Sequence, residues 1–163
     1  MEARRIAALE GGAGATCCSS GHAAQIMALF PLMAPGDNVV VSNRLYGGSV
    51  TQFTHTIRRF GWESRFVDLE KPGEVARACG KRTKAIFCES ICNPGGYVTD
   101  LPKIAAVAEK KGLPLIVDNT SATPFLCKPI EMGATLVVHS TTKYLSGSGQ
   151  AMGGAIVDSG AFD

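Results

Sequence analysis

The sequence predicts an α/β domain with a largely parallel sheet flanked by helices. Six segments are short, rich in β-branched residues and apolar at consecutive positions: 37–43, 63–69, 84–90, 113–119, 135–140 and 154–158. Consecutive apolar positions indicate strands that are covered on both faces, as in a parallel sheet between helices. Helical patterns separate several of these segments, and this alternation is typical of α/β domains. Because the sequence contains no internal repeat or linker, residues 1–163 are predicted to form one unit.

Three helices are predicted between the strands, and each has a termination signal. They span residues 21–33, 49–61 and 101–112. The first is followed by Pro35 and Gly36, which together stop a helix. The second ends at Gly61, and the third ends with two lysines and Gly112. Lysines in the last turn suit the helix dipole, and a glycine after them suits the C-cap.

Composition and charge exclude several classes of function. The net charge of +2 comes from interspersed charges of both signs, which predicts no nucleic-acid partner. No apolar run is long enough to cross a bilayer, and "MEARRIAALEGG" lacks the apolar centre of a secretory signal. The six cysteines form no CxxC pair, and the three histidines lack metal-ligand spacing. We therefore expect reduced thiols, no metal, no membrane association and a cytoplasmic location.

Polar residues follow three of the predicted strands. They are Glu89, Ser90 and Asn93 after one strand, Asp118, Asn119 and Thr120 after the next, and Ser140, Thr142 and Lys143 after a third. The carboxyl ends of parallel strands form the usual functional edge of such a sheet, so we expect these side chains to face one cavity. A single acidic residue at a strand end is commonly a helix cap or a turn residue. Three such ends, carrying an acid, an amide and a lysine, favour a functional site.

Lys143 and Asp118 together suit a carbonyl cofactor such as pyridoxal phosphate (PLP). A carbonyl cofactor needs a lysine amine with which it can react. The ring nitrogen of PLP needs a carboxylate to keep it protonated, so that the ring can act as an electron sink. Tyr46 follows a strand and offers an aromatic surface for the ring. Taken singly, Lys143 is more simply explained as a solvated residue and Tyr46 as a packing or turn residue.

A phosphate site is predicted at the start of the helix in "SSGHAAQ" (19–25). Gly21 permits close approach, and the backbone N–H groups of Gly21 and His22 open the helix, where anions bind. Ser140 and Thr142 can add hydroxyl donors. On its own, His22 is more simply explained as a helix-start residue.

The segments that carry these residues run over nearly the whole chain: "RRIAALEGG", "SSGHAAQ", "LYGGS", "FCESICNPGGYVTD", "PLIVDNTSATPFLCKPIEMGA" and "VVHSTTKYLSG". Together they resemble the Cys/Met metabolism group of PLP enzymes, which includes the cystathionine synthases and lyases, methionine gamma-lyase and the O-acetylhomoserine sulfhydrylases. The resemblance implies the fold of the large domain of fold-type I PLP transferases. Within the group, "GQAMGGAIVDSGAFD" and "NPGGYVTD" are most similar to the O-acetylhomoserine sulfhydrylases.

The resemblance also implies a role for each candidate residue. Lys143 is similar to the lysine that forms the Schiff base, and Asp118 to the partner of the pyridine nitrogen. Tyr46 resembles the tyrosine that stacks on the ring and assists proton transfer, and Asn93 would contact the ring hydroxyl. The backbone amides of Gly21 and His22 would hold the phosphate, with Ser140 and Thr142 assisting.

The implied reaction is gamma-replacement on O-acetylhomoserine by sulfide or a thiol, which gives homocysteine or methionine. Gamma-elimination, as in the gamma-lyases, is the alternative within the group, and a non-catalytic remnant is the alternative outside it. A dinucleotide-binding domain would share the sheet, but "GSGQAMG" has GxGxxxG spacing and comes late in the chain. A lysine-dependent aldolase would not need both the phosphate cradle and the aspartate.

The chain is shorter than the members of the group that it resembles. Its relatives carry an N-terminal arm that reaches the neighbouring subunit, and a C-terminal domain whose arginine binds the substrate carboxylate. Residues 1–163 are therefore expected to be the central PLP-binding domain of a longer enzyme, lacking both segments. The group also implies a homo-oligomer, a dimer of dimers in full-length relatives, acting on a small amino-acid substrate.

Overall fold

Residues 2–162, which the computed structural model describes, form a seven-stranded sheet with helices against both faces. The strands are β1 (Gly14–Cys18), β2 (Asn38–Ser42), β3 (Glu63–Val67), β4 (Thr83–Glu89), β5 (Leu115–Asp118), β6 (Leu136–Ser140) and β7 (Gly154–Asp158). Their order across the sheet is β1-β7-β6-β5-β4-β2-β3. Strands β3, β2, β4, β5 and β6 are mutually parallel, whereas β7 is antiparallel to β6 and β1 is antiparallel to β7. The predicted α/β fold with a largely parallel sheet is confirmed.

Six α-helices accompany these strands in the described part of the chain. They are α1 (Glu2–Glu10), α2 (Gly21–Leu29), α3 (Gly47–Thr51), α4 (Pro72–Ala78), α5 (Leu101–Lys111) and α6 (Thr123–Leu126). Helix α5 matches its prediction closely because both of its ends are capped. The Asp100 carboxylate accepts the Lys103 N–H at 3.3 Å, and Gly112 adopts a left-handed φ of 63° after the last turn.

Alternate residues of the central strands pack into two separate cores. Val39 and Val41 of β2 lie with Phe87 of β4 against α2 and the turns after α3. Val40 and Ile86, from the same two strands, lie on the opposite face against α1, α4 and α5. Both faces are buried, which explains why these strands are apolar at consecutive positions.

Two of the predicted helices differ in detail. Helix α2 ends at Leu29 rather than at residue 33, because Pro31 has no N–H for the next helical hydrogen bond. The segment predicted as one helix over 49–61 begins earlier, at Gly47, and then changes into a π-helical turn (Gln52–Thr56) and a 3-10 turn (Ile57–Phe60). Gly61 ends it with a φ of 75°.

Strand β1 and the helices α4 and α6 were not predicted. Strand β1 has the sequence GATCC, with little β-branched character, and it exists through antiparallel pairing with β7, from Gly14 opposite Asp158 to Cys18 opposite Gly154. Such pairing depends on two segments that are far apart in sequence, so a local pattern cannot reveal it.

No helix within residues 2–162 is long and apolar enough to cross a membrane. The six cysteines are free thiols, and Cys17 is exposed. In this part of the chain, no group of three or more His, Cys, Asp or Glu side chains is arranged to hold a metal ion.

Candidate active site

The carboxyl ends of β4, β5 and β6 open into a cavity of about 1100 Å³, which we call the strand-end cavity. Its wall includes the eight residues to which the resemblance assigns a role: Gly21, His22, Tyr46, Asn93, Asp118, Ser140, Thr142 and Lys143. The expected meeting of the three strand ends is therefore present. The roles assigned to these residues by resemblance stay predictions.

Asp118, the last residue of β5, has a carboxylate that is held by three hydrogen bonds. The Gln25 amide donates to Oδ2 at 3.0 Å. The backbone N–H and the hydroxyl of Thr120 donate to Oδ1 at 3.0 and 2.5 Å. The same hydroxyl accepts the backbone N–H of Ser140 at 2.8 Å. Thr120 therefore links the end of β5 to the end of β6, and it fixes Asp118 relative to the segment that carries Lys143.

Gln25 is the centre of a buried amide network behind Asp118. Besides donating to Asp118, its Nε2 donates to the Ser49 hydroxyl at 2.9 Å. Its Oε1 accepts from the Gln52 amide at 2.8 Å, and that amide also donates to the His22 carbonyl at 3.3 Å. The π-helical turn that begins at Gln52 thus contributes directly to the support of the Asp118 carboxylate. Because the network joins three chain segments, it restricts the rotation of that carboxylate.

The N-terminus of α2 faces the strand-end cavity with two free backbone donors. Ser20 caps the helix by accepting the Ala23 N–H at 3.1 Å. The preceding N–H groups, of Gly21 and His22, have no intrahelical acceptor because they lie in the first turn. They add the positive end of the helix dipole to this wall, which suits a phosphate.

Gly21 is required here by the close approach of β6. A Cβ atom at this position would lie 2.7 Å from Cβ and 2.9 Å from Cα of Ser140. The second of these atoms is backbone, so it cannot simply rotate away. Gly21 therefore allows the first turn of α2 to contact the end of β6.

Gly21→Ala is expected to separate α2 from β6 and to lower the free energy of unfolding by about 1–3 kcal/mol, because of the forced overpacking. It should also weaken PLP binding, because the two free N–H groups shift with the helix. Urea unfolding and a PLP titration measure the two effects. Gly14→Ala is the matched control, since a Cβ on Gly14 has no atom within 4 Å. Equal behaviour of the two variants would contradict the proposed close contact.

Lys143 lies on an exposed turn directly beyond β6, at the rim of the cavity. Its N–H donates to the Ser140 carbonyl at 3.2 Å. The turn is held by Thr142, whose hydroxyl accepts the Gly153 N–H at 3.0 Å, and by the Ser146 hydroxyl, which donates to the Lys143 carbonyl at 3.1 Å. The backbone around the lysine is thus hydrogen-bonded, while its amine is accessible from the cavity.

Tyr46 also lines the cavity, at the start of α3, and its side chain is 46% exposed. The His22 imidazole stacks on its ring, with 6.0 Å between centroids and 24° between planes. A Cβ on Gly48 would lie 2.6 Å from the imidazole and 2.7 Å from the phenol ring, so the stack depends on that glycine. Reasoning from the sequence assigned only the backbone of His22 to the site, whereas the structure also brings its imidazole to Tyr46.

Glu89, the last residue of β4, joins the walls that carry Tyr46 and Asn93. Its Oε1 accepts the Tyr46 N–H at 2.7 Å, and its Oε2 accepts the Asn93 N–H at 3.0 Å. Burial raises the pKa of this carboxyl to about 7, the two N–H donors oppose the rise, and the charge of Asp118 adds to it.

The loop that carries Asn93 is also held from outside the cavity. Ile91 pairs with Val98, which closes the loop as a short hairpin. The Arg44 guanidinium lies 4.2 Å from the centroid of the Tyr97 ring and makes two hydrogen bonds to Glu70, at 2.8 and 3.1 Å. These contacts are partly exposed, so they guide the loop and add little to stability.

The residues next to the site residues form a second polar layer, beneath the strand-end cavity. The Ser90 hydroxyl donates to the Asn119 amide oxygen at 2.7 Å. The Asn119 amide donates to Glu10 Oε1 at 2.9 Å, and Glu10 pairs with His139. Glu10 and His139 are fully buried, and Asn119 is 0% exposed. Ser90 and Asn119 were expected in the cavity, but side chains alternate at strand ends and these two face the other way.

The supporting residues Gln25, Ser49 and Gln52 were missed from the sequence. Each sits in a helical or turn segment and reaches the site only because that segment packs against the sheet. The one signal in the sequence was a polar residue, Gln25, among the apolar residues of α2, and the structure shows that it is 2% exposed. Thr120 and Glu89 had been recognised as polar strand-end residues, but their hydrogen bonds had not been predicted.

Comparisons with known proteins show the family to which this chain belongs. The model of the family described as Cys/Met metabolism PLP-dependent enzyme matches residues 2–163. A homocysteine/cysteine synthase from Saccharomyces cerevisiae is 50% identical over 159 residues, which are 97% of this chain and 36% of that protein. A crystal structure of a putative O-acetylhomoserine (thiol)-lyase from Campylobacter jejuni, containing a pyridoxyl-lysine monophosphate, superposes with a TM-score of 0.96 at 42% identity and covers 99% of this chain.

A second structure, of an O-acetylhomoserine sulfhydrylase from the methionine biosynthetic pathway of Wolinella succinogenes, superposes with a TM-score of 0.89 at 38% identity. It covers 97% of this chain, which spans 46% of that structure. The chain spans 40% of the Campylobacter structure. The similarity therefore extends over nearly the whole of this chain but over less than half of each of these proteins.

Proposed function

Because this chain belongs to the Cys/Met metabolism family of PLP-dependent enzymes, we propose that it carries the central PLP-binding domain of an O-acetylhomoserine sulfhydrylase. The reaction is replacement of the acetyl ester group on the gamma carbon by sulfide or a thiol, which gives homocysteine or methionine. The observation that carries the proposal is the strand-end cavity, in which a lysine, a buried carboxylate and a helix N-terminus face the same space.

The residues of the cavity fit PLP. Lys143 supplies an accessible amine for the aldehyde, and the α2 N-terminus supplies two free N–H groups for the phosphate. The Ser140 and Thr142 hydroxyls line the same cavity. Asp118 supplies a carboxylate that three donors orient. Because Gly21 has no side chain, the N-terminus of α2 packs directly against Ser140 at the end of β6.

Each residue has a separate task in the proposed mechanism. Bound PLP supplies an electron sink for the carbon next to the substrate amino group. The Asp118 carboxylate holds the proton on the pyridine nitrogen, and Asn93 binds the ring hydroxyl. Lys143 holds the aldehyde carbon before substrate arrives and then, as a free amine, moves protons at the alpha and beta carbons of the substrate. The Tyr46 phenol assists these transfers.

The proposal includes the setting in which the domain works. We place it in the cytoplasm, which suits its six free thiols. We further propose that it acts as a homo-oligomer. Phe125 and Leu126 in α6 are 92% and 70% exposed, which is unusual for adjacent apolar side chains.

The test is an assay of the protein at its full natural length with PLP and O-acetylhomoserine, with and without sulfide. Replacement predicts homocysteine and acetate in equal amounts, and neither without sulfide. Release of ammonia and a keto acid without sulfide would instead identify a gamma-elimination enzyme. Binding of PLP with neither reaction would contradict both assignments and favour a non-catalytic remnant.

A further inference from the structure

We propose that Glu89 is a positioning residue that clasps the Tyr46 and Asn93 segments together on the wall of the strand-end cavity, and that protonation of its carboxylate loosens this clasp. The clasp is a property of the chain itself and does not depend on PLP. Its consequence, weaker binding of PLP in mildly acidic solution, rests on the proposed function.

The geometry of Glu89 is specific to this task. Its two oxygens accept backbone N–H groups from different segments, one after β2 and one after β4, at 2.7 and 3.0 Å. The residue is 5% exposed, so water competes little for either oxygen. Its strand position is fixed by pairing with Asp118 across β4 and β5. One carboxylate therefore sets the separation of Tyr46 and Asn93.

Only the ionised form of Glu89 accepts both bonds well. A carboxylate offers acceptor lone pairs on each oxygen, whereas a protonated carboxyl has an O–H donor on one of them. On protonation, one of the two backbone N–H groups would face a donor or lose its short contact. A buried N–H without a partner is unfavourable, so that segment is expected to move toward another acceptor.

Glu89 titrates near neutral pH because burial raises its pKa to about 7. Near neutral pH both forms are therefore populated. The groups that interact with Glu89 are Asp118 on β5 and the thiols of Cys88 and Cys92, and Arg44 after β2 acts with it on Cys92. His22, Tyr46 and Lys143 are further titratable groups that line the same cavity. Of these, Asp118 acts in the direction of protonation.

The clasp and the stability of the fold depend on pH in opposite ways. A carboxyl whose pKa is raised by folding favours the folded state below its ordinary unfolded value, and this contribution is lost as the pH rises through about 7. The two-sided clasp instead forms as the pH rises through the same range. A loss of site order on acidification would therefore not be a symptom of general unfolding.

The first experiment is an NMR titration of the ¹⁵N-labelled protein without PLP, from pH 5.5 to 8.5. The amide protons of Tyr46 and Asn93 should shift with one common midpoint near neutral pH, because both donate to the same titrating group. His22→Gln should keep that midpoint, which excludes the stacked imidazole as the source. Glu89→Gln should abolish it, and Glu109→Gln, at an exposed position on α5, should leave it unchanged.

Two results would overturn the proposal: amides that do not titrate, or amides that titrate with different midpoints in the wild-type protein. Neither depends on a variant folding correctly. The second experiment measures the PLP dissociation constant at pH 8 and pH 6. Loss of one buried hydrogen bond on protonation predicts weaker PLP binding at pH 6. The ratio of the dissociation constant at pH 6 to that at pH 8 should be about five- to tenfold larger in wild type than in Glu89→Gln. If PLP does not bind at either pH, the proposed function fails, while the amide titration still decides the clasp.

Discussion

Lys143→Ala is expected to retain no yellow colour after incubation with PLP and desalting, whereas the wild-type protein stays yellow. Lys143 is the only lysine among the described residues that line the cavity, so its removal leaves PLP held by weaker contacts. At full natural length, the variant should also lose about 10³-fold or more of its activity, because the same amine moves the substrate protons. Visible absorption and turnover measure the two effects.

Lys110→Ala provides the matched control, since this lysine is exposed in the last turn of α5, away from the cavity wall. It should bind PLP as the wild type does. Lys143→Arg separates charge from chemistry, because a guanidinium keeps the positive charge but does not form the covalent bond. A stable yellow colour in Lys143→Ala would remove Lys143 from the proposed mechanism.

Glu10→Leu is expected to lower the free energy of unfolding by about 3–5 kcal/mol, the largest stability effect predicted for this chain. Glu10 lies at the end of α1 and pairs with His139 of β6, with both side chains at 0% exposure. It also accepts from the Asn119 amide at 2.9 Å. Replacing it by leucine leaves the His139 side chain buried without this partner, and it removes one of the two acceptors of the Asn119 amide, which still donates to the Cys127 carbonyl at 2.8 Å. Urea unfolding followed by circular dichroism measures the loss.

The double variant Glu10→Leu with His139→Leu tests whether the pair is the cause. Removing both partners should cost less than the sum of the single variants, with a coupling energy of at least about 1 kcal/mol. Glu109→Leu controls for the change of a glutamate to an apolar residue at an exposed helical position. If the losses in unfolding free energy of the single variants add up to that of the double variant, the Glu10–His139 contact does not contribute to stability.

This buried pair also explains how α1 contributes to the site. His139 precedes Ser140, and Asn119 follows Asp118, so both partners of Glu10 are neighbours of cavity residues along the chain. A hydrogen-bonded layer therefore lies directly under the strand ends that carry the proposed chemistry. Disturbing Glu10 is expected to reach the cavity through the backbone of β5 and β6.

The sequence by itself determined the type of sheet and the edge at which the candidate site lies. Strands that are apolar at consecutive positions must be covered on both faces, and parallel strands bring their carboxyl ends to one edge. That is sufficient to place Asp118, Ser140 and Lys143 around one cavity without knowing any contact between them. It also determined α5, because both capping signals are local.

Only the tertiary structure decided which strand-end side chains face the cavity and which residues support them. Glu89 and Asp118 face it, whereas their neighbours Ser90 and Asn119 face the layer below, a choice set by a one-residue alternation that patterns do not resolve at strand ends. The contact between Gln25 and Asp118 joins residues 93 positions apart, and that between Glu10 and His139 joins residues 129 apart. Such contacts depend on how α2 and α1 pack against the sheet, and no local segment of the sequence contains that information.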